Sequence, residues 1–455
     1  MRRLFGTDGV RGIANAELTP ELATSIGKAL CTVLSSAGEY RPTVLIGTDT
    51  RRSGEMLAAA LAAGVCSAGG DIISLGTVPT PAVAYLVRKY ELTAGVVISA
   101  SHNPYEYNGI KIFSDEGIKL SDELEEEMEI IALDKKPSPR VATASKIGRF
   151  LDTPPALGDY TDHIRTLISG SLSGIKIGID CANGAAFKTA KEIFLPLGAK
   201  CVFIGDRPNG VNINQGCGST SLNALSALVK EEGLDAGIAF DGDADRCLAV
   251  DEYGNEVDGD FIMAILARDF KERGLLQKNG VVGTVMTNLG FVKFCEENGI
   301  NFHAAKVGDR YVSETMRSEG LSFGGEQSGH LIIGDYSTTG DGELTAVLLL
   351  DVLKRSGKTL SALASVMKKY PQYTLNLSAS AEEKIFFLSD GEIKRAVRSA
   401  ERDAALSGGR IVVRPSGTEP FIRIMAEGAD ENEVKKIAGA LSVKIKQRLD
   451  AYRAR

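Results

Sequence analysis

A short run of small polar residues at positions 99–109 follows an apolar segment and carries the first candidate group for chemistry. From Ser99 it reads Ser-Ala-Ser-His-Asn-Pro, and such a strand-to-turn segment can expose the hydroxyl of Ser101 at its tip. Serine is a weak nucleophile unless a base or a metal activates it. His102 and Lys111 are nearby groups that could move its proton. A Ser/Asn turn that binds only its own backbone is the alternative interpretation.

Three aspartates at alternate positions, Asp241, Asp243 and Asp245, form the second candidate site. Alternate side chains of an extended segment point to one side, so we expect the three carboxylates to converge. Such charges about 5 Å apart repel by roughly 3 kcal/mol per pair at an effective dielectric constant near 20. A divalent cation removes that cost, and Mg²⁺ combines few carboxylates with phosphate oxygens. The motif therefore predicts a magnesium site.

The same aspartates, together with Glu252, also have the spacing of the acidic ligands in a calcium-binding EF-hand loop. An EF-hand requires glycine at the position that Arg246 occupies here, and a helix before the loop. Residues 237–240 instead have the pattern of a strand. A solvated acidic turn is a second alternative, and we prefer the Mg²⁺ site to both.

Two further loops could bind a phosphorylated sugar. Residues 324–330 read Gly-Gly-Glu-Gln-Ser-Gly-His, so Glu326 and Ser328 can exchange hydrogen bonds with sugar hydroxyls. Residues 414–420 read Arg-Pro-Ser-Gly-Thr-Glu-Pro, and Arg423 follows them. Guanidinium groups, hydroxyls and open backbone N–H groups are what a phosphate dianion needs. A structural hairpin for the first loop and a plain turn for the second remain alternatives.

All four loops share one context, in which an apolar run enters a polar loop and returns as another apolar run. Because β-branched runs alternate with helical patterns, we predict α/β domains with mainly parallel sheets. Predicted strands include 43–46, 95–98, 175–179, 202–204, 237–240, 281–285 and 411–413, and predicted helices include 20–35, 54–68, 222–232, 261–273 and 433–448.

Three polar or proline-containing breaks, at 134–139, 251–259 and 368–371, divide the chain into four predicted domains. We expect each domain to carry one of the loops. The predicted domains are 1–152 with the serine loop, 153–252 with the aspartate loop, 253–368 with the Glu/Ser loop and 369–455 with the arginine loop. The last stretch loses the strict alternation, which indicates a smaller α+β domain.

Composition excludes several classes of protein. With 455 residues, 44% hydrophobic residues and a net charge of -7, the chain is globular and lacks the basic balance of a general nucleic-acid or anionic-membrane binder. Its seven cysteines are scattered without a Cys-x-x-Cys pair, which is typical of a reducing compartment. No apolar segment follows Arg2 and Arg3, and the longest apolar stretch, 56–70, is shorter than the roughly 18 residues of a membrane span. We therefore expect a cytoplasmic protein.

The four loops, in this order, resemble the signatures of the α-D-phosphohexomutase family, and the opening Phe-Gly-Thr-Asp-Gly-Val-Arg-Gly at 5–12 matches as well. The resemblance covers essentially the whole chain. It implies three α/β domains of related topology and a smaller C-terminal α+β domain around a central cleft. Residues 306–311 and 324–330 look most like the bacterial members that interconvert glucosamine 6-phosphate and glucosamine 1-phosphate for UDP-N-acetylglucosamine synthesis.

The resemblance also implies a role for each motif residue. Ser101 would carry a phosphoryl group, primed by a sugar 1,6-bisphosphate, and would bind one Mg²⁺ per chain with the three aspartates. Lys111 would be the general acid or base, with a pKa lowered by burial or nearby cations. Other residues implied near the reacting groups or the substrate are Arg11, His102, Arg246, Asp309, Arg310, Glu326, Ser328, His330, Arg414, Ser416, Gly417, Thr418 and Arg423.

Other functions use the same groups. A phosphoglucomutase or phosphomannomutase would use the same residues with another sugar. A phosphoserine-forming phosphatase would release inorganic phosphate. A non-catalytic phosphosugar-binding protein would bind without turnover. The resemblance further implies a homodimer, a small-molecule phosphosugar as the partner, and a mobile fourth domain hinged near Pro371.

Overall fold

The computed structural model describes residues 3–6, 8–36, 41–416 and 420–454, which form alternating strands and helices. The strands are β1 Val10–Ile13, β2 Thr43–Thr48, β3 Asp71–Thr77, β4 Ala94–Ile98, β5 Tyr107–Ser114, β6 Lys176–Asp180, β7 Lys200–Ile204, β8 Ala236–Phe240, β9 Cys247–Asp251, β10 Glu256–Val257, β11 Gly280–Thr284, β12 Asn301–Ala305, β13 Phe323–Gly325, β14 Leu331–Ile333, β15 Gln372–Ser378, β16 Arg410–Pro415 and β17 Phe421–Glu427.

The helices lie between these strands. They are α1 Pro20–Ser36, α2 Gly54–Ser67, α3 Thr80–Lys89, α4 Asp122–Glu129, α5 Ala156–Arg165, α6 Ala186–Phe194, α7 Asn223–Glu232, α8 Gly259–Glu272, α9 Leu289–Glu297, α10 Asp309–Glu319, α11 Gly342–Ser356, α12 Leu360–Ala364, α13 Ala381–Ser389, α14 Gly391–Leu406 and α15 Glu431–Arg453. Within the described ranges, none of them is both long enough and apolar enough to cross a membrane.

The first three sheets repeat one arrangement. In the first, β2 pairs in parallel with β3 and β4, and β4 turns back into antiparallel β5. Strands β6 to β9 repeat that order, and so do β11 to β14. Each sheet is thus mixed, with a parallel interior and an antiparallel hairpin at one side. The prediction of three mixed α/β domains of related topology is confirmed.

The fourth sheet differs from the others because it is wholly antiparallel, in the order β15-β17-β16. Helices α14 and α15 pack on it, which confirms the predicted α+β class. We call the four sheets with their helices the first to fourth domains.

Burial explains why these segments became strands. Every residue of β4, β8 and β11 is buried, because helices cover both faces of the first three sheets. In β15, by contrast, less and more exposed residues alternate, as expected where one face meets solvent. One hydrophobic core runs from Leu45 in the first domain to Met367 in the third, whereas the fourth domain has its own core between Ala379 and Leu449.

Each of the four loops singled out by the sequence connects the two strands of an antiparallel hairpin. The pairs are β4–β5, β8–β9, β13–β14 and β16–β17. In the first three domains the hairpin occupies the same place in the sheet. The fold therefore presents its first three loops from equivalent positions.

Candidate active site

Ser101 lies in the loop between β4 and β5 and is 1% exposed. Its φ of 50° is in the left-handed region, where a non-glycine residue costs roughly 1–3 kcal/mol and persists only if its surroundings fix it. The hydroxyl donates to Asp241 Oδ2 at 2.5 Å, and it lies 3.3 Å from His102 Nδ1. The structure thus joins the serine loop to the aspartate loop of the next domain.

Two side chains that the sequence analysis missed hold this loop in place. Arg51 donates to the carbonyls of Ser101 and Asn103, each at 2.8 Å, and Asn214 donates to the same two carbonyls at 2.9 and 3.2 Å. The Arg51 guanidinium is fully buried and pairs with Asp49 at 2.8 Å. A buried Asp-x-Arg directly after β2, at the carboxyl end of a buried strand, is the signal that could have identified this pair.

The three aspartates converge as predicted, with one carboxylate oxygen of each within 4.8 Å of the others. The expected reason was wrong, because residues 241–246 are not extended. They form a tight turn in which Ala244 has a φ of 58°. The backbone therefore wraps around the point on which the carboxylates converge.

The chemistry of this cluster fits a divalent cation. Asp241 and Asp243 are fully buried, and in the part of the chain that the structure describes, the Oδ1 atoms of Asp243 and Asp245 have no hydrogen-bond partner. Burial, with the neighbouring charges of Asp245 and Asp243, raises the pKa of Asp241 well above its usual range. A cation with hard oxygen ligands would offset that repulsion and satisfy the two oxygens.

The EF-hand alternative is wrong. The loop follows strand β8 rather than a helix. Glu252, which would supply the last EF-hand ligand, instead accepts a hydrogen bond from the backbone N–H of Ser361 at 3.1 Å. It also bonds the Ser361 hydroxyl. Its carboxylate therefore belongs to a different contact.

Lys111 reaches the aspartate loop from β5. Its Nζ lies 3.1 Å from Asp243 Oδ2, 3.4 Å from Asp245 Oδ2 and 3.2 Å from Asp8 Oδ2, and its side chain is 2% exposed. Burial disfavours the ammonium, but Asp243, Asp8 and Asp245 together raise the pKa of Lys111 well above its ordinary value. The expected lowering of this pKa is thus wrong in the structure. Lys111 stands in the site as a cation.

The pKa values of the two histidines near Ser101 and Asp245 shift in opposite directions. Burial, followed by the positive charges of Arg246 and Arg11, lowers the pKa of His102 to about 4, so its ring is neutral at pH 7. His330 is fully enclosed, yet Asp245 overcomes the effect of burial and raises the pKa of His330. His330 Nδ1 lies 3.6 Å from Asp245 Oδ2. Gly340 N donates to His330 Nε2 at 3.1 Å.

Two arginines flank the same cluster. Arg11, in β1, forms an ion pair with Asp8. The backbone N–H of Arg246 donates to Asp241 Oδ1 at 3.1 Å, and its Nε lies 3.9 Å from Asp245 Oδ1. Burial opposes the charge on Arg246, but Asp241 and Asp245 raise its pKa.

The Glu/Ser loop is the tip of the β13–β14 hairpin, and both Glu326 and Ser328 are half-buried. The Glu326 carboxylate accepts a hydrogen bond from Gly308 N at 3.0 Å. Cys247 begins β9 directly after the aspartate loop, and its backbone N–H donates to Gly329 O at 3.0 Å. This hydrogen bond connects the two loops. The loop with the two candidate sugar contacts is therefore bonded to the start of β9.

Asp309 and Arg310 begin helix α10 and face the first domain. Asp309 Oδ2 lies 2.6 Å from Lys119 Nζ. Arg310 donates to Glu125 Oε2 at 3.1 Å and to Leu120 O at 3.0 Å, so two of its donors are engaged with the first domain. Lys119 is a second cation that sequence reasoning missed, and nothing in its local sequence marks it.

The fourth loop has its own local arrangement. Arg414 and Arg423 stand directly opposite each other on β16 and β17, at the end of the hairpin next to the fourth loop. Ser416 is buried, and its carbonyl accepts from Lys384 Nζ at 2.7 Å. Gly417 and Thr418, also expected to bind phosphate, lie outside the described residues.

Four family models match the chain in consecutive segments. They describe domains I, II and III and the C-terminal domain of phosphoglucomutase/phosphomannomutase, and they match residues 2–138, 158–254, 258–370 and 375–442, respectively.

Individual proteins are also similar to this chain, in sequence or in fold, over nearly its whole length. A phosphoglucosamine mutase from Acetivibrio thermocellus is 51% identical over 99% of this chain and 100% of its own length. A phosphoglucomutase/phosphomannomutase family protein from Burkholderia thailandensis has a similar fold, with a TM-score of 0.82, 22% identity and 98% of each chain covered. The N-acetylphosphoglucosamine mutase of Aspergillus fumigatus, solved with GlcNAc-6P and magnesium, has a TM-score of 0.67 and 17% identity over 98% of this chain and 96% of that one.

Proposed function

The chain belongs to the phosphoglucomutase/phosphomannomutase family, and within it we propose that this protein is a phosphoglucosamine mutase. It interconverts glucosamine 6-phosphate and glucosamine 1-phosphate through a phosphorylated Ser101 and a sugar 1,6-bisphosphate. The observation that carries the proposal is the 2.5 Å contact between the Ser101 hydroxyl and Asp241 of the buried carboxylate cluster. Full-length relatives with half of their residues identical carry the same name.

Asp241, Asp243 and Asp245, with an oxygen on Ser101, are the proposed ligands of one Mg²⁺ per chain. The Oδ1 atoms of Asp243 and Asp245, which have no hydrogen-bond partner within the described residues, support this assignment, and the fungal structure that contains magnesium has the same fold. When bound, Mg²⁺ supplies positive charge to the phosphoryl oxygens as they transfer.

The transfer moves one phosphoryl group between two oxygens. The bond from phosphorus to Ser101 Oγ breaks while a bond forms to the free hydroxyl oxygen of the sugar phosphate, and the proton of that hydroxyl passes to neutral His102. Neutral His102, 3.3 Å from the serine oxygen, can exchange a proton with it. Lys111, Arg11 and Arg246 neutralise charge on the phosphoryl group, and the ammonium of Lys111 can also act as a general acid. His330 completes this set of proposed catalytic residues.

The other phosphate of the substrate binds the fourth domain in this proposal, through Arg414, Ser416, Gly417, Thr418 and Arg423. Glu326 and Ser328 bind sugar hydroxyls, and Asp309 with Arg310 borders the sugar pocket. The bisphosphate must turn over before it returns its second phosphoryl group. We propose that the fourth domain, hinged near Pro371, closes over it during that step.

The remaining features of the proposal concern the whole protein. The domains are 1–152, 153–252, 253–368 and 369–455, a sugar 1,6-bisphosphate primes Ser101, and the chain works as a cytoplasmic homodimer. Its partner is a small phosphosugar rather than nucleic acid or a membrane.

A phosphorus NMR time course with Mg²⁺ and a bisphosphate primer tests the function, with glucosamine 6-phosphate, glucose 1-phosphate and mannose 1-phosphate supplied in parallel. Fastest isomerisation of the glucosamine compound is the expected result. Faster turnover of another sugar would identify a phosphoglucomutase or phosphomannomutase instead. Release of inorganic phosphate alone would indicate a phosphatase, and absence of turnover would indicate a binding protein.

Two variants and a chelator extend the same assay to the mechanism. Ser101→Ala should abolish turnover, whereas Ser318→Ala, an exposed serine of α10, should retain it. Removal of divalent cations with a chelator should stop the reaction, and added Mg²⁺ should restore it. Full activity of the Ser101→Ala enzyme would contradict the phosphoserine mechanism.

A further inference from the structure

Six ionisable side chains around the candidate active site form a closed ring in which acidic and basic groups alternate. Going round it, the order is Asp245, Lys111, Asp8, Lys119, Asp309 and His330, which returns to Asp245. The successive distances are 3.4, 3.2, 2.8, 2.6, 3.8 and 3.6 Å. The ring closes on a single oxygen, because Lys111 Nζ and His330 Nδ1 both face Asp245 Oδ2.

The ring crosses three domains. Asp8, Lys111 and Lys119 belong to the first domain, Asp245 to the second, and Asp309 and His330 to the third. Because the six residues come from three domains, these distances persist only while the three domains keep their relative positions. The catalytic groups Lys111 and His330 therefore depend on contacts that lie beyond their own hairpins.

Lys119 stands opposite Asp245 in the order of the ring. Its side chain is 14% exposed, and its Nζ lies between Asp309 Oδ2 at 2.6 Å and Asp8 Oδ1 at 2.8 Å. Burial disfavours the charged ammonium, but Asp309 and Asp8 outweigh it and raise the pKa of Lys119. Without this cation, two carboxylates from different domains would face each other at close range and repel.

Each of those carboxylates also lies close to a proposed catalytic group. Asp8 contacts Lys111 Nζ at 3.2 Å and also pairs with Arg11. Asp309 Oδ2 lies 3.8 Å from His330 Nε2. A displacement of either carboxylate would therefore alter the surroundings of Lys111 or of the His330 ring.

We propose that Lys119 is a positioning residue for phosphoryl transfer, which draws Asp8 and Asp309 together so that Lys111 and His330 converge on Asp245 from two sides. It acts through these partners and not on the substrate. The inference rests on the proposed mutase function for its kinetic test. It predicts that loss of Lys119 lowers kcat much more than it raises KM.

The first experiment compares Lys119→Met, Lys119→Arg and a matched control, Lys89→Met, in the phosphorus NMR assay. Lys89 is also a first-domain lysine, and it forms a 3.1 Å ion pair with Asp159 away from the cleft. Lys119→Met should lower kcat by about 10²-fold with KM changed less than about threefold. Lys119→Arg keeps a positive charge between the two carboxylates and should recover at least about tenfold of the loss, whereas Lys89→Met should match the unaltered enzyme.

A second measurement needs no turnover. The chain contains four histidines, so carbon-labelled histidine rings give four resolvable NMR signals. Lys119→Met should shift the His330 signal and leave those of His163 and His303 in place. A shift of all four signals, or a loss of thermal stability with proportional loss of kcat, would mean that Lys119 is merely structural and would overturn the inference.

The two proposals fail differently. If the unaltered enzyme does not isomerise any hexose phosphate, the proposed function is wrong, while the histidine spectra still test the ring. If the unaltered enzyme is active but Lys119→Met retains its kcat and its His330 signal, only the positioning role is wrong.

Discussion

At the scale of single residues, the position of His330 depends on the absence of a side chain at Gly340. A Cβ atom on Gly340 would lie 2.5 Å from the His330 ring atoms Cε1 and Nε2, closer than atoms can pack. The backbone N–H of Gly340 is also the donor that fixes Nε2 of that ring. Glycine is therefore required here by close approach rather than by backbone conformation.

We expect Gly340→Ala to push His330 away from Asp245 and to lower kcat by about 10–10²-fold, with a small effect on KM. Steady-state kinetics of the mutase reaction would measure it. Gly158→Ala is the matched control, because that glycine lies in α5 with nothing within 4 Å of an added Cβ atom. Equal activity of the two variants would contradict the assigned role of His330.

Arg51 gives a second prediction at this scale. Its guanidinium supplies a planar set of donors to the carbonyls of Ser101 and Asn103, and the single ammonium of lysine cannot reproduce that geometry. We expect Arg51→Lys to release the left-handed conformation of Ser101 and to slow phosphorylation of that serine by the bisphosphate at least about tenfold. Intact-protein mass spectrometry would follow the phosphorylation.

Arg52→Lys is the control for this experiment, because Arg52 bonds its neighbour Gly210 through its backbone N–H rather than its side chain. Unchanged phosphorylation of Ser101 in Arg51→Lys would show that other contacts suffice to hold the loop.

At the scale of elements, the start of helix α8 carries a buried acid with an unusual charge state. Asp260 is fully buried, it accepts a hydrogen bond from Asn288 N at 2.8 Å, and burial with the nearby charge of Asp258 raises its pKa to about 8. A carboxyl group with a raised pKa in the folded state stabilises the fold below its unfolded pKa and loses that contribution as the pH rises. The loss for Asp260 therefore extends from about pH 4 to pH 8.

Asp260→Asn removes this titration while keeping an acceptor for Asn288. We expect the variant to lose less stability than the unaltered protein between pH 5 and pH 9, with a difference in Tm of about 3 °C at pH 9. Scanning calorimetry across that range would measure it. Parallel Tm curves for the two proteins would show that Asp260 does not titrate in this interval.

The elements are also where sequence reasoning succeeded best. The predicted strand 95–98 lies within β4 and the predicted strand 281–285 overlaps β11. Both could be predicted because a run of β-branched residues is visible in the local sequence. The converging aspartates were predicted, but through an extended geometry that the left-handed Ala244 contradicts. The contacts of Lys119 with Asp309 could not be predicted, because they join residues 190 positions apart through tertiary structure alone.

At the scale of the whole molecule, the separate core of the fourth domain sets it apart from the other three. A polar contact connects it to the third domain: Glu427, which is 1% exposed, pairs with Arg410 at 2.8 Å and accepts from Leu289 N at 2.9 Å. Arg410 also donates to Thr287 O. A domain with its own core and a polar junction is suited to rotate as a unit.

We expect Arg410→Ala to loosen this junction, because it removes the cation that compensates the buried Glu427 carboxylate. The bisphosphate would then escape more often before its second transfer, so more primer would be needed for half-maximal activity, by about tenfold. Arg355→Ala is the control, since Arg355 pairs with Asp269 and Asp351 away from the fourth domain. An unchanged primer requirement would argue against a closing role for the junction.

The strand order that repeats in the first three sheets has a consequence for the evolution of the protein and for its engineering. Three copies of one unit carry a serine, a carboxylate cluster and a Glu/Ser pair at the same hairpin, as expected if an ancestral segment was duplicated and its copies then diverged. In such a scaffold the hairpin loops can be exchanged, while the strands that carry them maintain the distances between the loops. A tip from a relative with another sugar preference could therefore be transplanted into the third copy without redesign of the first two.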